Sequence, residues 1–144
     1  MGSYWRDTAS QQAQDQLDAV IDGALGLTQG LLVESGEFLP IAIVYESGAS
    51  EPTAVADVLE SLDPTALPNH GAVRDQTLEH LRGRAAELDA YALAFDAGDS
   101  IRVWLEHREG IALTAIRPYK RKRFGGKVEF DHLASEPGEP RIWG

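Results

Sequence analysis

The chain has 144 residues, 43% of them hydrophobic and 25% charged, with a net charge of −10. That composition fits one domain spanning 1–144, able to bury about two thirds of its unfolded surface, and argues against wholesale disorder. With no cysteine, disulfides, thiolate metal sites and cysteine nucleophiles are excluded together.

From the N-terminus, Met1–Asp7 shows no basic region followed by an apolar run, so no signal peptide is expected. Thr8-Ala9-Ser10-Gln11 reads as a capping box that starts a helix near Thr8. Ala13, Leu17, Val20, Ile21, Ala24, Leu27 and Leu31 then form its apolar stripe. Gly23, Gly26 and Gly30 each weaken a helix by up to about 1 kcal/mol relative to Ala, which predicts close backbone packing against a sheet as compensation. Gly36 is the expected stop.

Residues 38–46 read as a strand with Ile41, Ile43 and Tyr45 on one face and Ala42 and Val44 on the other. After a Ser47–Ser50 turn, Pro52 is expected in the first turn of a short helix through Val55, Val58, Leu59 and Leu62. A further helix follows the 67–71 loop, with Leu78, Leu81, Ala85 and Leu88 on its stripe. From Ala90 the period changes to two. Three strands separated by the turns Ala97-Gly98-Asp99 and Arg108-Glu109-Gly110 make an antiparallel meander, with Val128–Phe130 as a weaker last strand and an irregular tail from Ala134. The expected fold class is α+β: an antiparallel sheet of four to five strands with helices packed on one face, in the order helix-strand-helix-helix-meander.

Alternation places Ala42, Val44, Ala92, Ala94, Trp104, Thr114 and Ile116 on the second face of that sheet. So apolar a face needs a cover: a helix, the tail with Trp143, or a second copy of the chain. The homodimer reading names Trp104, Ile116 and Val44 as its interface.

The charge is unevenly distributed. Residues 1–116 carry a net −13, 117–127 carry +6, and 128–144 carry −3, a local reversal that the rest of the surface opposes. Arg117, Tyr119, Lys120 and Arg121 are the candidate contacts for a small anion or a protein partner, with Glu37 or Glu106 as the nearby carboxylate. Pairing with the protein's own acidic surface or with that of a second subunit is the first explanation of the run, and net acidity argues against nucleic acid. The four histidines lack ligand spacing, and Glu106-His107 and Asp131-His132 point to opposite strand faces, so scattered surface histidines are expected and no metal site. No catalytic motif and no cofactor fingerprint is present.

Gly36-Glu37-Phe38-Leu39-Pro40, together with Leu105-Glu106-His107-Arg108-Glu109-Gly110 and the later Arg117-Pro118-Tyr119, resembles a loose group of small bacterial α+β proteins of uncharacterised function. The resemblance implies a fold and no activity. The sequence-based expectation is a cytoplasmic, non-enzymatic interaction protein acting through its sheet face, acidic surface or basic hairpin, immunity or antitoxin-like in one concrete form, without a membrane span. Its alternative is a binding protein or enzyme for an anionic metabolite.

Overall fold

The computed structural model describes residues 9–55, 69–121 and 127–143. Helix α1 (Gln11–Ser35) is capped by Ser10, whose hydroxyl accepts from the Ala13 amide at 3.1 Å. The cap therefore sits two residues beyond the expected Thr8, which lies outside the described residues. The helix stops at Gly36, left-handed at φ 78°, whose amide closes on the Leu32 carbonyl. A left-handed turn is strained for any residue with a Cβ.

Strand β1 (Ile41–Glu46) follows directly. Thr53–Val55 then form a short strand, β2, paired antiparallel with β1, where the sequence pointed to a helix. The tight turn closed by the Ala49 amide on Glu46 carbonyl sends the chain back along β1, and β-branched Thr53 and Val55 suit the pleat. The remainder of that expected helix, 56–68, lies outside the described residues. Helix α2 (His70–Gly83), capped by Asn69, ends earlier than its predicted stripe. Ala85 falls in a 3-10 turn and Leu88 begins β3 (Leu88–Asp96). Strands β4 (Ser100–His107) and β5 (Ile111–Arg121) complete the meander. The far edge of β5 is shared: β6 (Val128–Phe130) pairs with residues 119–121, and β7 (Ala134–Pro137) with residues 113–116.

The described sheet thus has seven strands in the path β2-β1-β3-β4-β5-β6, with β7 beside β5, more than the four to five expected. The helices lie on opposite faces rather than on one. Leu17, Val20, Ala24 and Leu32 of α1 pack on Ile43, Ala92, Ala94, Val103, Leu105 and Leu113. On the other face, Leu78 and Leu81 of α2 pack with Ala42, Val44, Leu88, Tyr91 and Leu93. Of the helix glycines, only Gly23 approaches the sheet, where a Cβ would stand 3.4 Å from Ile43; Gly26 and Gly30 have nothing within 4 Å.

One assignment of faces is reversed. Ala42 is paired with Leu93 and Ile43 with Ala92, so Ala92 and Ala94 lie under α1 while Tyr91, Leu93 and Phe95 join the second face. Size does not reveal which side of a strand a residue takes when both faces are buried; cross-strand register does. The small alanines leave room for the bulky leucines of α1.

Candidate interaction face

The second face is covered in two ways. Over β1 and β3 lies α2. Over β4 runs the C-terminal segment 138–143, which we call the strap, where an irregular tail was expected. Its start is fixed by Gly138, whose amide donates to the Ala112 carbonyl at 3.0 Å and whose Cα lies so close to the β5 backbone that a Cβ would meet Leu113 at 2.7 Å. Its end is fixed by Glu106. This carboxylate is 2% exposed and accepts from three successive strap amides: Arg141 at 2.9 Å and Ile142 at 3.0 Å on Oε1, and Trp143 at 3.2 Å on Oε2. The Tyr91 hydroxyl adds a fourth donor at 3.0 Å. Burying a carboxylate is costly unless its lone pairs are met by donors, and a run of backbone amides is a concave anion receptor. Burial first, and the Glu106 charge second, push the Tyr91 phenol above its ordinary range. The Trp143 ring lies tilted by 36° at 6.1 Å from that of Tyr91 and donates its indole N–H to the Ala85 carbonyl.

Beside the strap, two arginines lie near one indole and a third shares its face of the sheet. Arg141 of the strap lies with its guanidinium 3.8 Å from the Trp104 ring centre, and Arg74 of α2 lies 5.1 Å from the same ring and 5.3 Å from Phe95. Phe95 meets Trp104 edge-on at 4.9 Å. Arg102 stands opposite Phe95 across the β3–β4 ladder and therefore shares this face; among the described residues its guanidinium makes no ion pair. Trp104, Arg102, Arg74 and Arg141 are all half-buried. One N–H group of Arg141 donates to the Glu139 carbonyl at 3.0 Å and Arg74 Nε meets Asp75, and the other N–H groups of these planar cations match the geometry of carboxylates. Asp75, 3.5 Å from Arg74, is an acidic neighbour of this group, and Glu136, opposite Thr114 in the β5–β7 ladder, stands on the same face.

The sequence-predicted residues are dispersed. Arg117 donates to the Asp131 carbonyl at 2.8 Å, and Arg121 donates to the Gly36 carbonyl while lying 5.6 Å from the Tyr119 ring. Both guanidinium groups thus tie β5 to neighbouring chain segments. Arg121 comes near the Gly36-Glu37 junction, whereas Glu106 is on the opposite face of the sheet. The Tyr119 hydroxyl donates to Asp96 at 2.6 Å, and burial followed by that carboxylate pushes its pKa up to about 12. Lys120 faces a cleft of about 340 Å³ that also holds Asp99, Glu129 and Asp131 over Tyr119 and Phe130, so carboxylates outnumber cations there. Lys122 and Arg123 lie outside the described residues. Val44 is 1% exposed beneath α2, Ile116 is half-buried between Ala134 on one ladder and Arg102 on the other, and Trp104 meets Arg141 and Arg74.

His107 is not a surface histidine: it is 2% exposed on the α1 face. Its Nδ1 accepts from the Glu109 amide at 3.0 Å, which assigns the proton to Nε2, donated to Gln16 Oε1 at 2.7 Å. Gln16 in turn donates to Asp89 at 2.9 Å, where Ser47 at 2.8 Å and Arg108 at 3.3 Å complete the shell. Burial holds the imidazole below its ordinary pKa against the opposing charges of Glu109 and Asp89. For Asp89, burial acts upward but the donors Ser47, Gln16 and Arg108 outweigh it, leaving the pKa lowered. This network joins the N-terminal part of α1 to the meander.

Among the described residues no helix is long and apolar enough to cross a membrane, and no group of three or more His, Asp or Glu residues could hold a metal ion. Comparison with known families, with curated proteins and with solved structures yields no match, so nothing in them bears on the resemblance to small α+β proteins.

Proposed function

We propose that this protein is a non-enzymatic interaction module that receives an acidic segment of a protein partner on the arginine–tryptophan face. The observation that carries the reading is Trp104 with the guanidinium groups of Arg141 and Arg74 3.8 and 5.1 Å from its ring centre, and Arg102 on the same face of the same strand. Arg and Trp are the residue types that dominate binding energy at protein contacts, and here they are gathered in an otherwise acidic chain. The net charge of −10 repels a polyanion at long range, but attraction at contact is set by charges within about 8 Å at physiological ionic strength. Around Trp104 those are Arg74, Arg102 and Arg141, set against Asp75, which pairs with Arg74, and Glu106, whose buried carboxylate is engaged by the strap amides.

A hexaglutamate peptide titrated by calorimetry or fluorescence tests the reading, with inorganic phosphate as the small-anion probe. The peptide should bind saturably, lose affinity between 0.15 and 0.5 M salt, and bind about fivefold or more weakly to Trp104→Ala, the loss of two stacking contacts of about 0.5–1 kcal/mol each. Phosphate binding as tightly as the peptide would favour the anionic-metabolite alternative. A concentration-dependent dimer by light scattering, abolished by Trp104→Arg, would instead assign the face to a second copy.

A further inference from the structure

We infer that Glu106 is a positioning residue for this face: by holding the amides of the strap, it sets Arg141 over Trp104. The inference rests on the binding reading above and adds to it a residue that cannot itself touch a partner, being 2% exposed beneath the strap.

Arg141 belongs to no helix or strand, so its position over Trp104 must come from its neighbours. Its amide is bound by Glu106 at 2.9 Å, its carbonyl accepts from Arg82 Nε at 2.9 Å, and its guanidinium donates back to the Glu139 carbonyl at 3.0 Å. The next two amides share the same carboxylate. A carboxylate accepts at both oxygens and donates at neither, so it can serve three parallel amides and a phenol together. Glutamine has the same shape, but its NH₂ must face one of those donors. Glu106→Gln therefore loosens the strap without opening a cavity. Once the strap is loose, Arg141 samples many positions, and the partner must restore the docked one at the expense of affinity.

The double-mutant cycle on the full chain reads this directly. Arg141→Ala should weaken the hexaglutamate peptide about five- to tenfold. Glu106→Gln should weaken it by the same factor although it removes a negative charge from a face that binds anions. Because both changes remove one interaction, the double variant should bind no more weakly than either single variant. Trp143→Ala, which removes the indole contacts with Tyr91 and Ala85 that hold the same end of the strap and leaves Glu106 intact, should lower affinity as well, and in free Glu106→Gln the amides of residues 141–143 should exchange faster than in wild type. If Arg141→Ala weakens binding while Glu106→Gln binds as well as wild type or better, or if the two losses multiply, the positioning role is wrong and the binding face stands. If the wild-type chain does not bind the peptide, the binding reading fails, and this inference with it.

Discussion

Replacing Gln16 by Ala removes the one side chain that joins His107 to Asp89. Two hydrogen bonds go, of 2.7 and 2.9 Å, and two partners are left behind. The His107 Nε2–H sits on a residue that is 2% exposed, and an unmet buried donor costs about 1–3 kcal/mol. Asp89 keeps Ser47 and Arg108 on its other oxygen and retains some access to solvent, so its share falls at the low end of that range. The sum is about 3 kcal/mol, which at this length corresponds to roughly 9 °C in melting temperature. Urea denaturation followed by circular dichroism, fitted to two states, measures it. Gln12→Ala, on the exposed side of the same helix, is the control and should stay within about 0.5 kcal/mol of wild type. A Gln16→Ala loss below about 1 kcal/mol would show that the chain of hydrogen bonds does not hold α1 to the meander, and the argument for the network would fall.

The same network makes stability depend on pH in two windows. His107 has a folded pKa below its ordinary 6.5, so the unfolded chain takes up a proton first: stability is complete above pH 6.5 and declines as pH falls below it, and His107→Gln should flatten that slope. The Asp89 pKa is held below its ordinary 3.8, so its contribution is present above that pH and is lost as the carboxylate protonates below it; denaturation curves between pH 3 and 8 follow both, and a slope of opposite sign near pH 6 would contradict the first. Gly138→Ala places a Cβ 2.7 Å from the β5 backbone, and it should cost about 1–3 kcal/mol and lift the start of the strap, seen as faster exchange of the Gly138 and Arg141 amides; unchanged exchange would place the strap's anchor elsewhere.

Much of the fold was legible in local pattern. The period-two runs from Ala90, the turns at Gly98 and Gly110, and the stop at Gly36 all appear where the residues indicate. What was not legible depends on partners distant in sequence. The face taken by Ala92 against Leu93 was ambiguous because both faces of β3 are apolar, and only its pairing with β1 decides it. His107 could be placed on the α1 side by alternation, but its burial could not be foreseen without Gln16 of α1 facing it. Tail residues Ala134–Pro137 carry no alternation, and they become a strand because β5 offers an open edge. A strand with Pro at its last position suits an edge. The candidate site shows the same limit more sharply. The conspicuous basic run from Arg117 drew attention by its density, yet its described arginines bind backbone carbonyls. Arg74, Arg102 and Arg141 are isolated in sequence. The available signal was Trp104 beside Arg102, on an alternating strand, with a terminal Arg-Ile-Trp that had no helix or strand of its own.

Under the proposed reading, Trp104 with Arg74, Arg102 and Arg141 receives an acidic partner. The chain has three tryptophans, so the indole N–H resonances in an ¹⁵N spectrum report on this face almost individually. On titration with hexaglutamate peptide at 0.15 M salt, the Trp104 indole and the amides of Arg102 and Arg141 should shift along one saturable curve and return toward their free positions at 0.5 M salt. Shifts confined to the Arg117–Lys127 region, or no shift of the Trp104 indole at millimolar peptide, would contradict it.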